Sequence, residues 1–133
     1  KVVDAQYEHP MGPSMMVFHA SLTKEKQTLD ASAPGFEPSL STVKVDGEYH
    51  WGNSLTTTLA YWGTNGTEGD YSTTYGYVGS PDNSGWIGEV SYLAWQNTRL
   101  SLQYTAYKKF DGLPAGRSAS DNNTTFLQAW MVW

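Results

Sequence analysis

The residues that could carry chemistry are few and widely spaced in this chain. It has three histidines, His9, His19 and His50, and no cysteine. The histidines fall in different predicted elements and lack the close spacing of a zinc motif such as HExxH. Without cysteine there is no disulfide, no thiolate metal site and no covalent haem attachment through CxxCH. The sequence therefore predicts neither a metal site nor a resident cofactor.

Sequence motifs of catalysis are also missing. The chain contains no GxSxG nucleophile elbow, no phosphate-binding loop and no GxGxxG fingerprint. The carboxylates of Asp46, Glu48 and Glu89 could pair for acid–base work, but basic side chains are predicted on the same face. A set of ion pairs along that face is the simpler interpretation. We expect no enzymatic activity.

Composition indicates a single all-β domain over residues 1–133. Aromatic residues make up 14% of the chain and charged residues only 16%, against about 25% charged residues in an average protein. Aromatic and β-branched residues favour strands. No apolar run approaches the roughly 20 residues of a membrane helix, so any membrane span would have to be made by strands. The net charge of −5 argues against a nucleic-acid partner, because phosphate binding needs a basic face.

Alternation of apolar and polar residues with period 2 predicts about seven or eight antiparallel strands. The predicted strands cover residues 1–9, 14–26, 40–51, 55–62, 86–95, 99–110 and 121–133. Their connections alternate between short ones at 10–13, 52–53 and 96–98 and long ones at 27–39, 63–85 and 111–120. Short turns at one end of a sheet and long loops at the other are typical of outer-membrane β-barrels.

The last thirteen residues, DNNTTFLQAWMVW, alternate and end on an aromatic residue, Trp133. This segment resembles the C-terminal strand of Gram-negative outer-membrane β-barrels, the strand that the barrel-assembly machinery reads. The resemblance implies an antiparallel, up-and-down transmembrane β-barrel, porin-like and without catalysis, in the bacterial outer membrane. Membrane lipid and the assembly machinery are the implied partners.

A second resemblance concerns the segments QYTAYKKFDG and SASDNNT. They are similar to the C-terminal portion of a group of proteobacterial outer-membrane proteins, some of which occur with multihaem cytochromes. This implies a sheath that houses or neighbours a multihaem cytochrome. Any haem would then belong to the partner, because this chain has no CxxCH motif.

In such a barrel, one face of each strand would line the lumen and the other would meet lipid. The predicted lumen-facing residues are Lys44, Asp46, Glu48, His50, Glu89, Arg99, Gln103 and Lys109. Aromatic residues near the strand ends are predicted to form two belts about 25 Å apart at the membrane interfaces. The belt residues are Tyr7, Tyr49, Trp51, Tyr61, Trp86, Tyr92, Phe110 and Trp133.

Alternation alone leaves the direction of the two faces open. A soluble lipocalin-like or avidin-like barrel also alternates, with its apolar face turned inward around a small apolar ligand. That ligand would contact the opposite row of side chains, Val43, Val45, Leu59, Val90, Leu102 and Tyr104. A dependence on detergent during extraction separates the two hypotheses.

The number of predicted strands is odd, which does not fit a complete barrel. Barrels with both termini in the periplasm have an even number of strands, whereas the alternation of this sequence marks out seven strands. We therefore expect the chain to be most of an eight-stranded barrel or the C-terminal part of a larger one. A further strand or chain would complete the barrel.

Overall fold

The computed structural model describes residues 1–26, 39–67, 80–114 and 116–132. These residues form one antiparallel sheet of eight strands, and the single helical element is a short 3₁₀ turn, Ser120–Asn122. Within the described residues, no helix is long and apolar enough to cross a membrane. The strands are β1 (Val2–Met11), β2 (Ser14–Lys26), β3 (Ser39–Trp51), β4 (Leu55–Gly66), β5 (Asn83–Trp95), β6 (Thr98–Phe110), β7 (Leu113–Pro114) and β8 (Thr124–Met131).

The sheet follows the chain as an up-and-down meander. Strands β1 to β6 pair in sequence order, and both β7 and β8 pair with β6. Strands β1 and β8 lie at the two edges, and no pairing joins them in the described part of the chain. The prediction of an all-β, antiparallel, up-and-down sheet is confirmed, and the sheet is open.

Short and long connections alternate as predicted. Three tight turns, at residues 12–13, 52–54 and 96–97, lie at one end of the strands. Gly12 and Gly52 have φ of 62° and 58°, a left-handed conformation that glycine adopts without a steric penalty. The strand ends that residues 27–38, 67–82 and 111–123 connect lie at the other end, and residues 27–38, 68–79 and 115 are outside the described residues.

Three predicted element boundaries need correction. Residues 10–11, predicted as part of a turn, belong to β1, and Pro10 pairs with Met15. Proline is tolerated there because β1 is an edge strand, where a ladder bond need not be made on the open side. Residues 63–66 and 83–85, predicted as loop from their glycine and polar content, extend β4 and β5. Cross-strand pairing has overridden the weak local propensity of these residues.

The two faces of the sheet differ in burial. Directly paired residues project to the same side, so His19, Asp46 and Ala60 share one row across β2, β3 and β4. This polar face contains the buried residues Val17, Ala60, Ser91, Ser101 and Thr105. The apolar face is exposed, with Leu59 at 58% and Leu127 at 83%. The most enclosed side chains of the sheet are therefore on its polar face.

A register shift near the long-connection end changes the alternation of β6. Gly85 pairs with Tyr107, but Ser84 pairs with Lys109, so Lys108 is the extra residue of a β-bulge. A Cβ at Gly85 would lie 2.6 Å from the carbonyl oxygen of Ala106, which explains why glycine is needed at this crossing. Beyond the bulge, the two faces of β6 exchange residues relative to a strict period of 2.

Candidate functional site

The polar face carries its charges as local ion pairs. In β3, Asp46 lies 3.2 Å from the Nζ of Lys44 and 3.6 Å from the Nδ1 of His19, which projects from β2. The other ring nitrogen of His19 lies 4.0 Å from Asp4 in β1. Because Asp46 is almost completely enclosed, its carboxylate depends on these two neighbours for compensation.

A second polar cluster lies at the short-turn end of β5 and β6. The guanidinium of Arg99 donates to the carboxylate of Glu89 and to the hydroxyl of Ser91, each at 2.8 Å. Ser91 in turn donates to Glu89 at 2.6 Å and shares a 2.9 Å hydrogen bond with Ser101. Glu89, Arg99, Ser91 and Ser101 form what we call the Arg99 network. Its buried hydroxyls are satisfied, as buried polar groups must be if they are not to destabilise the fold.

His50 belongs to a third group on the same face. Its Nε2 lies 3.4 Å from the carboxylate of Glu48, and its Nδ1 lies 3.0 Å from the hydroxyl of Thr56. Glu48 and Glu89 both pair with Thr58, from opposite sides, so two strand spacings, or about 10 Å, separate their backbones. Glu48 thus lies beside His50 and Glu89 beside Arg99, and the two carboxylates are too far apart to share a proton.

Seven of the eight predicted lumen-facing residues share the polar face. The cross-strand register places Lys44, Asp46, Glu48, His50, Glu89, Arg99 and Gln103 there. Lys109 is the exception, because the β6 bulge pairs it with Ser84, in the row of Trp86 on the apolar face. The prediction for Lys109 is therefore corrected: its Nζ bonds Asp82 at 3.1 Å, at the rim near the long connections.

The carboxylate of Asp82 lies at the rim of the sheet, where it accepts hydrogen bonds from the Gly66 amide at 3.2 Å and the Lys109 Nζ at 3.1 Å. Burial by itself raises the pKa of Asp82, but hydrogen bonds from Lys109 and from the Gly66 amide, with the positive charge of Lys109, outweigh it. The net effect lowers the pKa of Asp82 below its usual 3.8. The carboxylate thus ties the start of β5 to the ends of β4 and β6.

The predicted belt aromatics mostly lie on the apolar face. Register and alternation place Tyr49, Trp51 and Tyr92 there towards the short turns, and Tyr7, Tyr61 and Trp86 in rows nearer the middle of the sheet. Tyr49 and Trp51 meet edge to face at 4.4 Å between ring centroids, and Tyr61 and Trp86 lie 5.0 Å apart. Such contacts fix ring orientation as well as burying area.

Phe110 and Trp133 differ from the other predicted belt residues. Phe110 follows the bulge, and its ring packs 5.2 Å from Tyr107, which itself contacts Trp62 at 5.6 Å. Tyr107 and Trp62 belong to the polar face, so Phe110 also lies on that face, because the bulge that displaces Lys109 displaces it too. Its place at a membrane interface stays a prediction. Trp133 lies outside the described residues.

The structure does not bring the three histidines together. His9 lies on the apolar face of β1, where its ring stacks 6.3 Å from Tyr7, whereas His19 and His50 are on the polar face. Across the part of the chain that the structure describes, no group of three or more histidine and acidic side chains could hold a metal ion.

Sequence reasoning missed the hydroxyl residues that complete the polar face. Ser91, Ser101 and Thr105 are buried, and Ser91 joins three other side chains in the Arg99 network. The signal was present, because Ser91 and Ser101 occupy the same alternation rows as Glu89 and Arg99.

The grooves of the sheet are shallow and differ in character between the faces. On the apolar face, a groove lies over Gly47 and is lined by Met16, Phe18 and Leu59. On the polar face, Arg99 lines two hollows, one with His50 and Ser91 and the other with Gln128 and Trp130. Comparison with family models, curated proteins and solved structures returned no match to this chain.

Proposed function

We propose that this sheet is part of the wall of a porin-like, transmembrane β-barrel of the bacterial outer membrane. Its polar face lines the lumen and its apolar face meets lipid. The protein acts as a passive pore or as a structural sheath, without catalysis. The barrel-assembly machinery inserts it, and the resemblance noted above adds a multihaem cytochrome as a partner housed by the barrel or beside it.

The observation that carries the proposal is the inverted burial of the two faces. The side chains of Asp46, Ser91 and Ser101 are buried on the polar face. The half-exposed cations Lys44 and Arg99 pair with carboxylates there, while the apolar rows of β3 to β6 are open to their surroundings. Monomeric soluble proteins rarely expose contiguous apolar surface beyond a few hundred Å². A hydrocarbon environment stabilises this surface and leaves the polar face to water.

Strand length and aromatic placement support the same proposal. The five central strands have 12 or 13 residues each, and a tilted transmembrane strand needs about 9–11. Exposed aromatic residues occur on the apolar face, with Trp51 and Tyr92 near the short turns and Trp86 in the row of Tyr61 and Val45. Aromatic rings are favoured at both membrane–water interfaces, because they combine an apolar body with a polar edge.

The soluble alternative makes the opposite demand on the faces. A lipocalin-like or avidin-like barrel needs Val43, Val45, Leu59, Val90, Leu102 and Tyr104 enclosed around its ligand and the polar row in water. All six residues are exposed in this structure. No observation on this chain favours that alternative over the membrane barrel.

Two tryptophans at the same height provide a direct test. Trp62 pairs with Gly85, the residue before Trp86, so Trp62 and Trp86 lie side by side on opposite faces. The chain is refolded into vesicles whose acyl chains carry bromine, which quenches tryptophan emission on contact. We expect Trp86→Phe to remove much of the quenchable emission and Trp62→Phe to remove little of it.

The control is the same pair of variants in non-brominated vesicles, which corrects for the unequal emission of the two residues. A chain that stays in the aqueous phase and leaves the vesicles would contradict the proposal. Equal loss of quenchable emission in both variants would contradict the assignment of the faces. Ion conductance across the vesicles then separates an open pore from a closed sheath.

A further inference from the structure

The two edge strands of the sheet run in the same direction. Seven long strands, β1 to β6 and β8, follow one another in antiparallel pairs. These seven strands are joined by six antiparallel pairings, and an even number of reversals leaves the first and last strands parallel to each other. A strand lying between β1 and β8 can therefore run antiparallel to both.

The outward-pointing backbone groups of β1 follow from its pairing with β2. The Lys24 amide donates to the Lys1 carbonyl at 2.7 Å, which identifies a hydrogen-bonded pair at an odd-numbered residue of this edge. Hydrogen-bonded and non-hydrogen-bonded pairs alternate along an antiparallel ladder. The even-numbered residues of β1 therefore direct their backbone groups to the open edge. Those with a free N–H are Val2, Asp4, Gln6 and Glu8, and Pro10 offers only its carbonyl.

The outward-pointing backbone groups of β8 follow from its pairing with β6. The Val132 amide donates to the Asn97 carbonyl at 3.0 Å, so even-numbered residues face β6 and odd-numbered residues face the open edge. The outward residues are Thr125, Leu127, Ala129 and Met131. Their side chains lie on the apolar face, whereas those of the outward residues of β1 lie on the polar face.

We propose that the edges of β1 and β8 form an acceptor site for one further extended strand that runs antiparallel to both and alternates basic with apolar residues. In a strand, each residue points its N–H and C=O to one side, and the next residue points to the other. Residues of the incoming strand that bond β1 therefore have polar-face side chains, and those that bond β8 have apolar-face side chains. A strand that bonds both open edges must therefore alternate residues of the polar face with residues of the apolar face.

Charge specifies the chemistry of the incoming strand. Its polar-face residues lie directly opposite Asp4, Gln6 and Glu8, and opposite charges across a strand pair are stabilising. Among the described residues, the only ion-pair partner of Asp4 is His19, at 4.0 Å, and Glu8 accepts a 2.6 Å hydrogen bond from the neutral amide of Gln6. Both carboxylates can therefore take a lysine or arginine. The apolar-face residues lie opposite Leu127, Ala129 and Met131, where apolar side chains fit.

A second copy of this chain does not meet these requirements. Two copies inserted with their long connections on the same side of a membrane would bring β1 of one beside β8 of the other, and these strands are parallel. This step rests on the proposed function, because the membrane fixes the orientation. The acceptor site itself depends only on the backbone geometry of the edges.

The test uses the full chain refolded in a non-ionic detergent and labelled ten-residue peptides. One peptide alternates valine with lysine, and its matched control alternates valine with glutamate. We expect the lysine peptide to bind about tenfold more tightly, by fluorescence anisotropy, because it pairs with both carboxylates of β1. Gln6→Pro, which removes one outward N–H, should weaken binding about tenfold. Gln6→Ala, which keeps that N–H, should not.

Reversing the charge of β1 tests whether its carboxylates select the peptide. The double variant Asp4→Lys with Glu8→Lys should reverse the preference between the two peptides, and Asp121→Lys in the 3₁₀ turn should leave it unchanged. Circular dichroism confirms that each variant keeps its sheet. Failure of the lysine peptide to bind a chain that still inserts into vesicles would overturn the acceptor site and leave the proposed function intact. Assembly of the chain into a dimer that blocks the peptide would also overturn it.

Discussion

Asp46 and Val45 are neighbours in β3, yet the sheet treats them in opposite ways. The Asp46 side chain is 6% exposed and is paired with Lys44 and His19, whereas Val45 is 44% exposed. The same contrast recurs along β5, where buried Ser91 adjoins exposed Val90. The comparison shows that enclosure in this sheet follows polarity in the reverse of the usual sense. Polar side chains stabilise their face through mutual pairing, and the apolar face depends on what surrounds the protein.

The largest effect is expected from placing arginine on either face of the centre of β6. Leu102 lies on the apolar face, and Gln103, the next residue, lies on the polar face opposite Glu89. In bilayers, Leu102→Arg should destabilise the inserted protein by about 2–4 kcal/mol. Gln103→Arg should cost little, because it gains a carboxylate partner in a wet site. Urea unfolding from vesicles measures the loss of stability in both variants. Equal losses would contradict the assignment of Leu102 and Gln103 to different environments.

Two glycines of β5 test the difference in crowding. A Cβ at Gly85 would lie 2.6 Å from the carbonyl oxygen of Ala106 and 3.3 Å from the Cα of Tyr107. A Cβ at Gly88 would have no neighbouring atom within 4 Å. Gly85→Ala should cost about 1–3 kcal/mol, as overpacking does. Gly88→Ala should be neutral or slightly stabilising, since alanine has less freedom to lose on folding. Unfolding midpoints in detergent compare them, and similar losses would mean that the bulge does not need glycine.

A somewhat smaller effect is expected within the Arg99 network. Ser91→Ala removes a buried hydroxyl and deprives Glu89, Arg99 and Ser101 of a partner, which should cost about 1–2 kcal/mol. Thr58→Val is the matched control, because among the described residues no hydrogen bond of the Thr58 side chain is found. If both variants unfold at the same denaturant concentration, the network contributes no stability to the polar face.

The smallest effect concerns the rim pair of Asp82 and Lys109. Because folding lowers the pKa of Asp82, its ionised form stabilises the fold at pH values above the unfolded value of 3.8. That contribution is lost as the pH falls below 3.8 and through the folded pKa. Partly exposed ion pairs are worth about 1 kcal/mol or less. Asp82→Asn should thus lower stability at pH 7 and reduce its decline in acid, measured by urea unfolding at both pH values. An unchanged pH dependence would show that Lys109 does not hold the carboxylate.

Most of the fold could be predicted from the sequence, because alternation with period 2 is a local property. It located the seven long strands to within a few residues and sorted seven of the eight polar-face candidates correctly, from Lys44 to Gln103. The glycine turns at residues 12–13 and 52–54 also follow from local conformational preference. The two-residue strand β7 was not predicted, because nothing in Leu113–Pro114 marks it apart from its contact with β6.

By itself, the sequence determined which residues alternate, and hence the two rows of side chains on each strand. Only the tertiary structure decided which row is enclosed, because burial depends on neighbouring strands. It also decided where the register shifts: the close approach of Gly85 to Ala106 moves Lys109 and Phe110 to the faces opposite to those that alternation predicts. The pairing of Ser91 with Arg99 and Ser101 likewise arises only when β5 and β6 lie side by side. Side-chain period is set by the covalent chain, whereas register and enclosure are set by contacts between strands.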